Sequence, residues 1–292
     1  MQIQRKPEWL RISRVSHEQY AEVSNLLSQQ SLHTICRSGK CPNLAECWSR
    51  GTATFMLLGD ICTRGCKFCA TATGSPLPPD EGEPERLAAS VEAMHLRYVV
   101  LTSVTRDDLP DQGANHWRRC IEAVRKRCPQ VKIEALVPDF SGEETLIKEV
   151  LAAAPDMFAH NMETVARLTP LVRAKATYQT SLHTLSAAHE AGLRTKTGIM
   201  LGLGETQEEV FQAMDDALGA GVDIFTLGQY LQPSRRHCPV AEYITPERFA
   251  EYKRIALDKG FSFVESGPLV RSSYHAEMAL DDTSPKETNV HR

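Results

Sequence analysis

Six of the nine cysteines in this chain lie between positions 36 and 69. The first fifteen residues are charged and contain no apolar stretch of signal-peptide length, which predicts a cytoplasmic protein in a reducing environment. In such a compartment, clustered cysteines bind metals or carry out redox chemistry far more often than they form disulfides. We therefore expect a fold that is built around metal-binding thiols.

The group Cys62, Cys66 and Cys69 has a C-x3-C-x2-C spacing and closely follows a strand-like run. A zinc site would need a fourth protein ligand, and zinc sites typically use C-x2-C pairs. Three thiolates suit an iron–sulfur cube in which one iron has no protein ligand, so that this iron can bind and activate another molecule. The alternative is zinc or an inert thiol cluster.

A second group, Cys36, Cys41 and Cys47, precedes the first and has a C-x4-C-x5-C spacing. Its three thiols predict a second cluster that again lacks one protein ligand. The remaining cysteines belong to neither pattern, and we expect them to be core or incidental thiols: Cys120, Cys128 and Cys238.

Between residues 51 and 260, short apolar runs alternate with helix-like stretches. The runs are nearly all apolar, as in strands that are buried on both faces. Strand followed by helix, repeated about six times, predicts a parallel sheet of βα units, either an open doubly wound sheet or a partial barrel. The predicted strands are 55–59, 98–104, 133–137, 157–160, 197–201 and 224–227, and the predicted helices are 86–94, 117–127, 144–154, 178–191 and 208–220.

This alternation divides the chain into three predicted parts. Residues 1–50 form a cysteine-bearing N-terminal extension, residues 51–260 the βα domain, and residues 261–292 a C-terminal extension that ends in a loose polar tail. The formal net charge is −4, so nothing in the composition indicates a nucleic-acid partner. No run reaches the roughly 18 apolar residues of a transmembrane helix, so we expect no membrane partner.

The C-x3-C-x2-C spacing, with Phe68 before its last cysteine, resembles that of the radical S-adenosylmethionine enzymes. Together with the second cysteine group and the motif Arg271-Ser272-Ser273-Tyr274, it is similar to the lipoyl synthase family in particular. The segments CPNLAECW, GDICTRGCKFC, HNMETV, LGQYLQPS and GPLVRSSYHAE extend this resemblance from about residue 7 to residue 277. The resemblance implies an α/β fold with a partial (β/α)6 barrel.

The resemblance also implies two [4Fe–4S] clusters and S-adenosylmethionine as cofactors. A catalytic cluster would lie on the first cysteine group, and an auxiliary cluster on the second. Ser273 or Ser272 would complete the auxiliary ligand set, and Ser273 is favoured. Asn161 and Glu163 would bind the ribose of S-adenosylmethionine. The other implied contacts to S-adenosylmethionine are Thr102, Ser103, Lys196, Gly198, Met200 and Gln229.

The activity that the resemblance implies is that of a radical sulfurtransferase. Two sulfur atoms would be inserted at C6 and C8 of an octanoyl chain that is linked to a lipoyl carrier domain or H protein. Those carbons are neither acidic nor electrophilic, so acid–base or nucleophilic catalysis cannot functionalise them, and cofactors must carry the step. The reaction would consume two S-adenosylmethionine molecules per lipoyl group and take electrons from ferredoxin or flavodoxin. The protein is expected to be a monomer.

Two alternatives remain at this point. Another radical enzyme with an auxiliary cluster, such as a biotin synthase-like or methylthio-transferring enzyme, would lack the combination of the second cysteine group with Arg271-Ser272-Ser273-Tyr274. A non-catalytic iron–sulfur or zinc protein would bind metal without cleaving S-adenosylmethionine. Arg235 and Arg236 lie in a loop, where they either meet an anionic group or are simply solvated.

Overall fold

The computed structural model describes residues 6–11, 30, 32–39, 41, 43–44 and 54–274. Most of its strands belong to one eight-stranded sheet, and a two-stranded sheet lies beside it. In chain order the strands are β1 His33–Thr34, β2 Thr54–Leu57, β3 Ile61–Cys62, β4 Ala72–Thr73, β5 Tyr98–Ser103, β6 Lys132–Leu136, β7 Met157–Ala159, β8 Thr195–Leu201, β9 Ile224–Gln229 and β10 Phe263–Gly267.

The large sheet has the order β1-β2-β5-β6-β7-β8-β9-β10. β1 is antiparallel to β2, and every other neighbouring pair is parallel. A doubly wound sheet reverses its strand order at a switch point. Because the order here follows the chain without a reversal, the βα barrel expectation is confirmed. The barrel is partial, since in the described residues β1 pairs only with β2 and β10 only with β9.

Helices connect the parallel strands. They are α1 Ile35–Ser38, α2 Glu83–Ala93, α3 Ala114–Arg127, α4 Glu144–Leu151, α5 Thr169–Val172, α6 Tyr178–Glu190, α7 Gln207–Gly219 and α8 Pro246–Lys259. A capping box at Thr206 and Glu209 starts α7, and Thr245 caps α8 before its first-turn proline. Gly260 ends α8 in a left-handed conformation, with φ 118°. None of the described helices has both the length and the apolar character needed to cross a membrane.

The unit formed by α8 and β10 was not among the predicted elements. β10 has the sequence FVESG, and only Val264 in it is fully buried. It is an edge strand that pairs on one side only, so it lacks the continuous apolar run that marked the central strands. This seventh parallel strand of the sheet begins within the predicted C-terminal extension.

The core lies between the sheet and the outer helices. One cluster packs α2, α3 and α4 against β2, β5 and β6 around Trp117, which is fully buried. The other packs α7 and α8 against β8, β9 and β10 around Phe225 and Met214. Burying a large apolar side chain contributes roughly 1.5–3 kcal/mol. Because this packing uses the outer faces of the sheet, the carboxyl ends of the strands remain available for a site.

A charged group lies inside the barrel, towards the amino-terminal ends of the strands. The Lys196 ammonium is 3.0 Å from both carboxylate oxygens of Glu134, and both side chains are buried. The Tyr98 hydroxyl donates to the same carboxylate at 2.6 Å. The sequence predicted that Lys196 contacts S-adenosylmethionine, but the structure instead assigns its ammonium to Glu134.

We predict that Lys196→Met lowers the free energy of unfolding by about 3–5 kcal/mol, because it leaves the Glu134 carboxylate buried without its cation. The double variant Lys196→Met/Glu134→Gln should recover part of this loss. The matched control is Lys148→Met, which breaks an exposed pair with Glu144 and should cost about 0.5 kcal/mol or less. Denaturant unfolding measures all three, and equal losses in Lys196→Met and Lys148→Met would contradict the prediction.

Candidate active site

A cavity of about 380 Å³ lies at the carboxyl ends of the parallel strands. This volume is within the usual range for a small-molecule site. Residues from both cysteine groups line it, as does the C-terminal motif. The lining predicted residues are Cys36, Cys41, Cys62, Cys66, Cys69, Thr102, Ser103, Asn161, Glu163, Gly198, Met200, Gln229, Ser272 and Ser273. Cys47 lies outside the described residues, and Lys196 does not line the cavity.

The first cysteine group begins with Cys62, the last residue of β3, and continues with Cys66 and Cys69 in the loop between β3 and β4, two strands that pair with each other. The backbone N–H groups of Arg64 and Thr105 lie 3.4 and 3.3 Å from the Cys62 sulfur and donate to it. Hydrogen bonds of this kind stabilise a metal-bound thiolate and tune an iron–sulfur cluster. The Cys69 N–H donates to the Cys66 carbonyl at 3.1 Å, which closes the loop on itself.

The spacing of these thiols distinguishes a cluster from a single ion. Cys62, Cys66 and Cys69 are all free thiols. Ligands of one zinc ion, with Zn–S bonds of about 2.3 Å, lie roughly 3.8 Å apart. The three sulfurs do not all lie within 4.8 Å of one another, a spacing that in the described residues only Glu83, His116 and Cys120 achieve. A spread wider than that of zinc ligands agrees with an iron–sulfur cube, which takes three thiolates and leaves one iron open.

Burial raises the pKa of the Cys66 and Cys69 thiols above the ordinary value. A buried thiolate therefore needs a compensating positive charge. A bound metal centre supplies that charge, because coordination deprotonates a thiol outright. The need of these buried thiolates for positive charge therefore also favours a bound metal centre.

The side chain of Arg64, between the first two cysteines of this loop, is almost fully buried. Its guanidinium makes two hydrogen bonds of 2.8 Å to Asp107 and one of 2.6 Å to Asp139. Burial alone would raise the pKa of Asp139, but Arg64 holds that pKa below its ordinary value. Asp107 follows β5 and Asp139 follows β6, so Arg64 fastens the cysteine loop to two strand ends.

Cys36 and Cys41 of the second cysteine group line the same cavity as residues 270–274 of the C-terminal segment, which we define as residues 269–274. Asn43 donates to the Leu269 carbonyl at 2.7 Å. A Cβ on Gly228 would lie 2.2 Å from the Val270 carbonyl oxygen, so only glycine permits this segment to cross the end of β9. Burial lowers the pKa of the Arg271 guanidinium, and a Cys41 thiolate would raise it. Arg271 thus places positive charge beside a predicted cluster ligand.

Glu163 lies in a strained backbone conformation at the cavity wall. Its φ is 71°, in the left-handed region that a glutamate rarely adopts. Two backbone hydrogen bonds hold it, from its own N–H to the Gly198 carbonyl at 3.0 Å and from the Met200 N–H to its carbonyl at 2.8 Å. Burial raises the pKa of the Glu163 carboxyl, and Arg173 opposes that shift. Strain of this kind is concentrated at functional sites.

Several of the remaining predicted contacts already use hydrogen-bond donors or acceptors of their side chains within the protein. The Gln229 amide lies within 3.1 Å of three backbone carbonyls and accepts from the Ile244 N–H, so its side chain braces the loop after β9. The Thr102 hydroxyl donates to the Leu136 carbonyl, and Ser103 accepts from the Trp117 indole. A Cβ on Gly198 would lie 2.2 Å from the Thr226 hydroxyl, which explains the glycine.

Sequence reasoning missed Arg173, which follows α5 and lines the cavity. One terminal nitrogen of its guanidinium donates to the Ser181 hydroxyl at 2.6 Å. Its Nε is buried and has no hydrogen-bond partner in the described residues. A cation that lines a cavity suits an anionic ligand group. Nothing in the sequence marked it, since an isolated arginine is usually solvated.

His160 packs beneath Arg173 at the cavity floor. Its Nδ1 donates to the Val137 carbonyl at 2.9 Å, and its Nε2 lies 2.9 Å from the Ser181 hydroxyl. Burial, reinforced by the Arg173 charge, lowers the pKa of His160 to about 4. The imidazole is therefore neutral at pH 7, and it acts as a bracing group.

The group Glu83, His116 and Cys120 is fully buried and lies outside the cavity lining. The His116 Nε2 is 2.6 Å from a Glu83 oxygen, which also accepts the Leu58 N–H at 3.0 Å. The first of these separations is that of a hydrogen bond and is shorter than the distance between two ligands of one metal ion. These residues therefore tie α2 and α3 to the end of β2.

The sequence profile of the Radical SAM superfamily matches residues 56–217. Lipoyl synthase of Parabacteroides distasonis is 55% identical over 276 residues, which cover 94% of this chain and 98% of that protein. Lipoyl synthase of Treponema denticola is 56% identical over 274 residues, 94% of each chain. This chain belongs to the lipoyl synthase family. Membership of the Radical SAM superfamily implies that it binds a [4Fe–4S] cluster and S-adenosylmethionine.

Solved structures support the fold of this lipoyl synthase family member. Methylornithine synthase aligns with a TM-score of 0.53 over 85% of both chains at 13% identity. Streptococcus suis SuiB bound to S-adenosylmethionine aligns with a TM-score of 0.56 over 76% of this chain and 53% of that chain, at 10% identity. At these identities the likeness concerns the fold alone, and it agrees with the partial βα barrel.

We predict that His160 makes the protein less stable in mild acid. Its pKa of about 4 in the folded protein lies below about 6.5 in the unfolded chain, so the unfolded state takes up the proton first. Its contribution to stability is therefore lost as the pH falls from 6.5 towards 4. Between pH 7 and pH 5 the loss should be about 2 kcal/mol.

Denaturant unfolding at the two pH values tests this prediction. His160→Gln should remove about 2 kcal/mol of the pH dependence, whereas the exposed His183→Gln should keep it. An unchanged pH dependence in His160→Gln would contradict the assignment.

Proposed function

We propose that this chain inserts two sulfur atoms at C6 and C8 of a protein-bound octanoyl chain, which forms the lipoyl cofactor. Family membership at 55% identity over nearly the whole chain supports this activity. The observation that carries the proposal is that all three cysteines of the first group, two of the second group and Ser273 line a single cavity. A carbon in that cavity can face a radical source on one side and a sulfur source on the other.

We assign the catalytic [4Fe–4S] cluster to Cys62, Cys66 and Cys69. With S-adenosylmethionine bound, this cluster supplies a 5′-deoxyadenosyl radical, the reagent that an unactivated carbon requires. The protein holds the loop in place through Arg64 and its two carboxylates. Donation from two backbone N–H groups to Cys62 favours the thiolate form.

S-adenosylmethionine has a ribose diol and a carboxylate that this cavity can bind. Asn161 and Glu163 offer oxygen acceptors for the two ribose hydroxyls, and Glu163 is fixed by its backbone bonds to Gly198 and Met200. Arg173 lines the cavity, and its positive charge suits the carboxylate. Thr102 and Ser103 lie at the end of β5, where they line the cavity but do not make strong polar contacts to the ligand. We leave Lys196 out of this site.

We assign the auxiliary [4Fe–4S] cluster to Cys36, Cys41, Cys47 and Ser273. In this assignment the auxiliary cluster is the sulfur source, and its serine oxygen leaves one corner easier to open than a thiolate would. Cys36, Cys41 and Ser273 lie at the cavity, which supports the set, while Cys47 lies outside the described residues. Arg271 beside Cys41 partly balances the negative charge of thiolate ligands.

The apolar part of the cavity wall suits a saturated chain. Its apolar lining includes Ile35, Met56, Val104, Leu136, Ala176 and Leu231. Such a wall orients an octanoyl chain and excludes water from the reacting carbons. The macromolecular substrate is a lipoyl carrier domain or H protein, whose lysine bears the octanoyl group.

The electron donor, ferredoxin or flavodoxin, must approach the catalytic cluster from outside. Exposed cations surround the cysteine loop, and we call Lys67, Arg235 and Arg236 the basic rim. The Lys67 carbonyl accepts the Cys238 N–H at 2.9 Å, and His237 is 2.9 Å from the Cys69 carbonyl, so the rim is attached to the loop. We propose that an acidic donor protein docks there through charge complementarity.

We retain as proposals an N-terminal extension of residues 1–50, a barrel of residues 51–260 and a C-terminal extension of residues 261–292. The first and third supply the auxiliary ligands, and the third also contributes β10 to the sheet. We propose that the protein acts as a monomer in the cytoplasm, without nucleic-acid or membrane partners. It uses two S-adenosylmethionine molecules for each lipoyl group.

The decisive experiment is an anaerobic assay with an octanoylated carrier peptide, S-adenosylmethionine and a strong reductant. The wild type should release 5′-deoxyadenosine and add two sulfur atoms to the peptide. Ser273→Ala should still release 5′-deoxyadenosine but lose at least tenfold in sulfur insertion, because the auxiliary cluster lacks its oxygen ligand. Cys66→Ala should neither release 5′-deoxyadenosine nor insert sulfur. The control Cys128→Ala should release 5′-deoxyadenosine and insert sulfur as the wild type does.

The outcomes separate the alternatives. Wild-type 5′-deoxyadenosine without sulfur gain would contradict the substrate. No 5′-deoxyadenosine from a fully reconstituted protein would contradict radical catalysis and favour a non-catalytic cluster protein.

A second prediction tests the basic rim. Arg235→Glu/Arg236→Glu should slow turnover with flavodoxin by about tenfold at low ionic strength, because the charges that steer the donor are reversed. Turnover with dithionite, a small reductant, should stay within twofold of the wild type. The control Lys253→Glu/Arg254→Glu makes the same charge change on α8. If that control slowed flavodoxin-driven turnover equally, net charge rather than the rim would be responsible.

A further inference from the structure

One hydrogen bond joins the two halves of the proposed site. The Asn161 Nδ2 donates to the Ser272 hydroxyl oxygen at 2.7 Å, across 111 residues of chain. Asn161 follows β7 and belongs to the ribose-binding pair, whereas Ser272 belongs to the C-terminal segment that carries Ser273. A direct contact therefore exists between the proposed S-adenosylmethionine site and the proposed auxiliary site.

This bond fixes how the Asn161 amide is oriented. A primary amide has two N–H donors and one carbonyl acceptor. One N–H of Asn161 donates to Ser272, so Nδ2 is held towards the C-terminal segment. Oδ1, on the other side of the amide, is then the atom that remains for a ribose hydroxyl. Without Ser272, the amide could rotate and present a donor instead.

The C-terminal segment also has other attachments. Its Leu269 carbonyl accepts from Asn43, and a 2.9 Å backbone bond from Tyr274 to Arg271 closes a turn within it. Residues 271–274 contain no helix or strand. The bond to Asn161 adds a side-chain restraint from the barrel to residues 271–274.

We infer that Ser272 is a positioning residue that couples S-adenosylmethionine binding to the order of the C-terminal segment. The inference rests on the proposed function, because it takes Asn161 as a ribose ligand and Ser273 as the ligand of the auxiliary cluster. Ordering of the segment pre-orients Asn161, and a ligand bound to Asn161 in turn restrains Ser272 and its neighbour Ser273. Coupling of this kind is reciprocal by thermodynamic necessity.

The first test compares two adjacent serines in the reconstituted holoprotein. Ser272→Ala should weaken S-adenosylmethionine binding about tenfold, the effect of one lost hydrogen bond, as measured by anaerobic equilibrium dialysis. Its auxiliary cluster should keep the wild-type Mössbauer spectrum. Ser273→Ala should show the opposite, with an altered spectrum and an affinity within about twofold of the wild type.

The second test is a double-mutant cycle with Asn161. In an Asn161→Ala background, Ser272→Ala should change the affinity for S-adenosylmethionine by less than about twofold, because its partner is already absent.

Hydrogen exchange supplies a separate measure. S-adenosylmethionine should slow exchange in residues 267–274 of the wild type and fail to do so in Ser272→Ala.

The results separate this inference from the proposed function. An unchanged affinity in Ser272→Ala, additive losses in the cycle, or an altered auxiliary spectrum in that variant would each overturn the coupling. The sulfur-insertion assay of the wild type stands apart from these measurements, and its failure would overturn the proposed function while leaving the binding data interpretable. Thermal unfolding of each variant checks that the protein remains folded.

Discussion

The site depends on one buried arginine. Arg64 lies inside the cysteine loop, and its guanidinium is shared between Asp107 and Asp139 at the ends of two neighbouring strands. A loop of this length has little regular structure of its own, so its three thiols can be held in a fixed arrangement only if something ties the loop to the sheet. A buried charge is costly unless it is fully paired, and here the pairing itself fixes the loop.

The strand order of the barrel determines which residues meet at the cavity. Because the parallel strands follow the chain without a reversal, the segments after their carboxyl ends place Thr105, Asp139 and Asn161 in sequence around one cavity, which Gly198 of β8 also lines. The amino-terminal side has a different role, since Lys196 and Glu134 form a satisfied ion pair there. Two residues of the same strand therefore have different surroundings, since Lys196 belongs to the ion pair and Gly198 lines the cavity.

The sequence was most informative where chemistry constrains spacing. The two cysteine groups, the central strands and most helices could be predicted, since thiol spacing and apolar runs are local signals. β10 was missed because its half-polar sequence reflects its edge position, and the ion pair of Lys196 could not be predicted because its partner is 62 residues away. Arg173 and Arg64 were missed because an arginine is usually solvated, and only the fold shows that these two are buried or line a cavity. The contact between Asn161 and Ser272 could not be predicted either, because it exists only in the folded chain.

Because the sheet does not close in the part of the chain that the structure describes, its two edges must be held together by contacts other than strand pairing. In the described residues no backbone ladder joins β1 to β10, and the Asn43 amide reaches across to the Leu269 carbonyl instead. The ligands proposed for the auxiliary cluster come from both sides of this seam, Cys36 and Cys41 from one and Ser273 from the other. A metal centre bound by both sides is a cross-link. Consumption of the auxiliary cluster as the sulfur source would therefore also remove this cross-link. The two edges of the sheet would then be held less tightly at the moment when the tethered product has to leave.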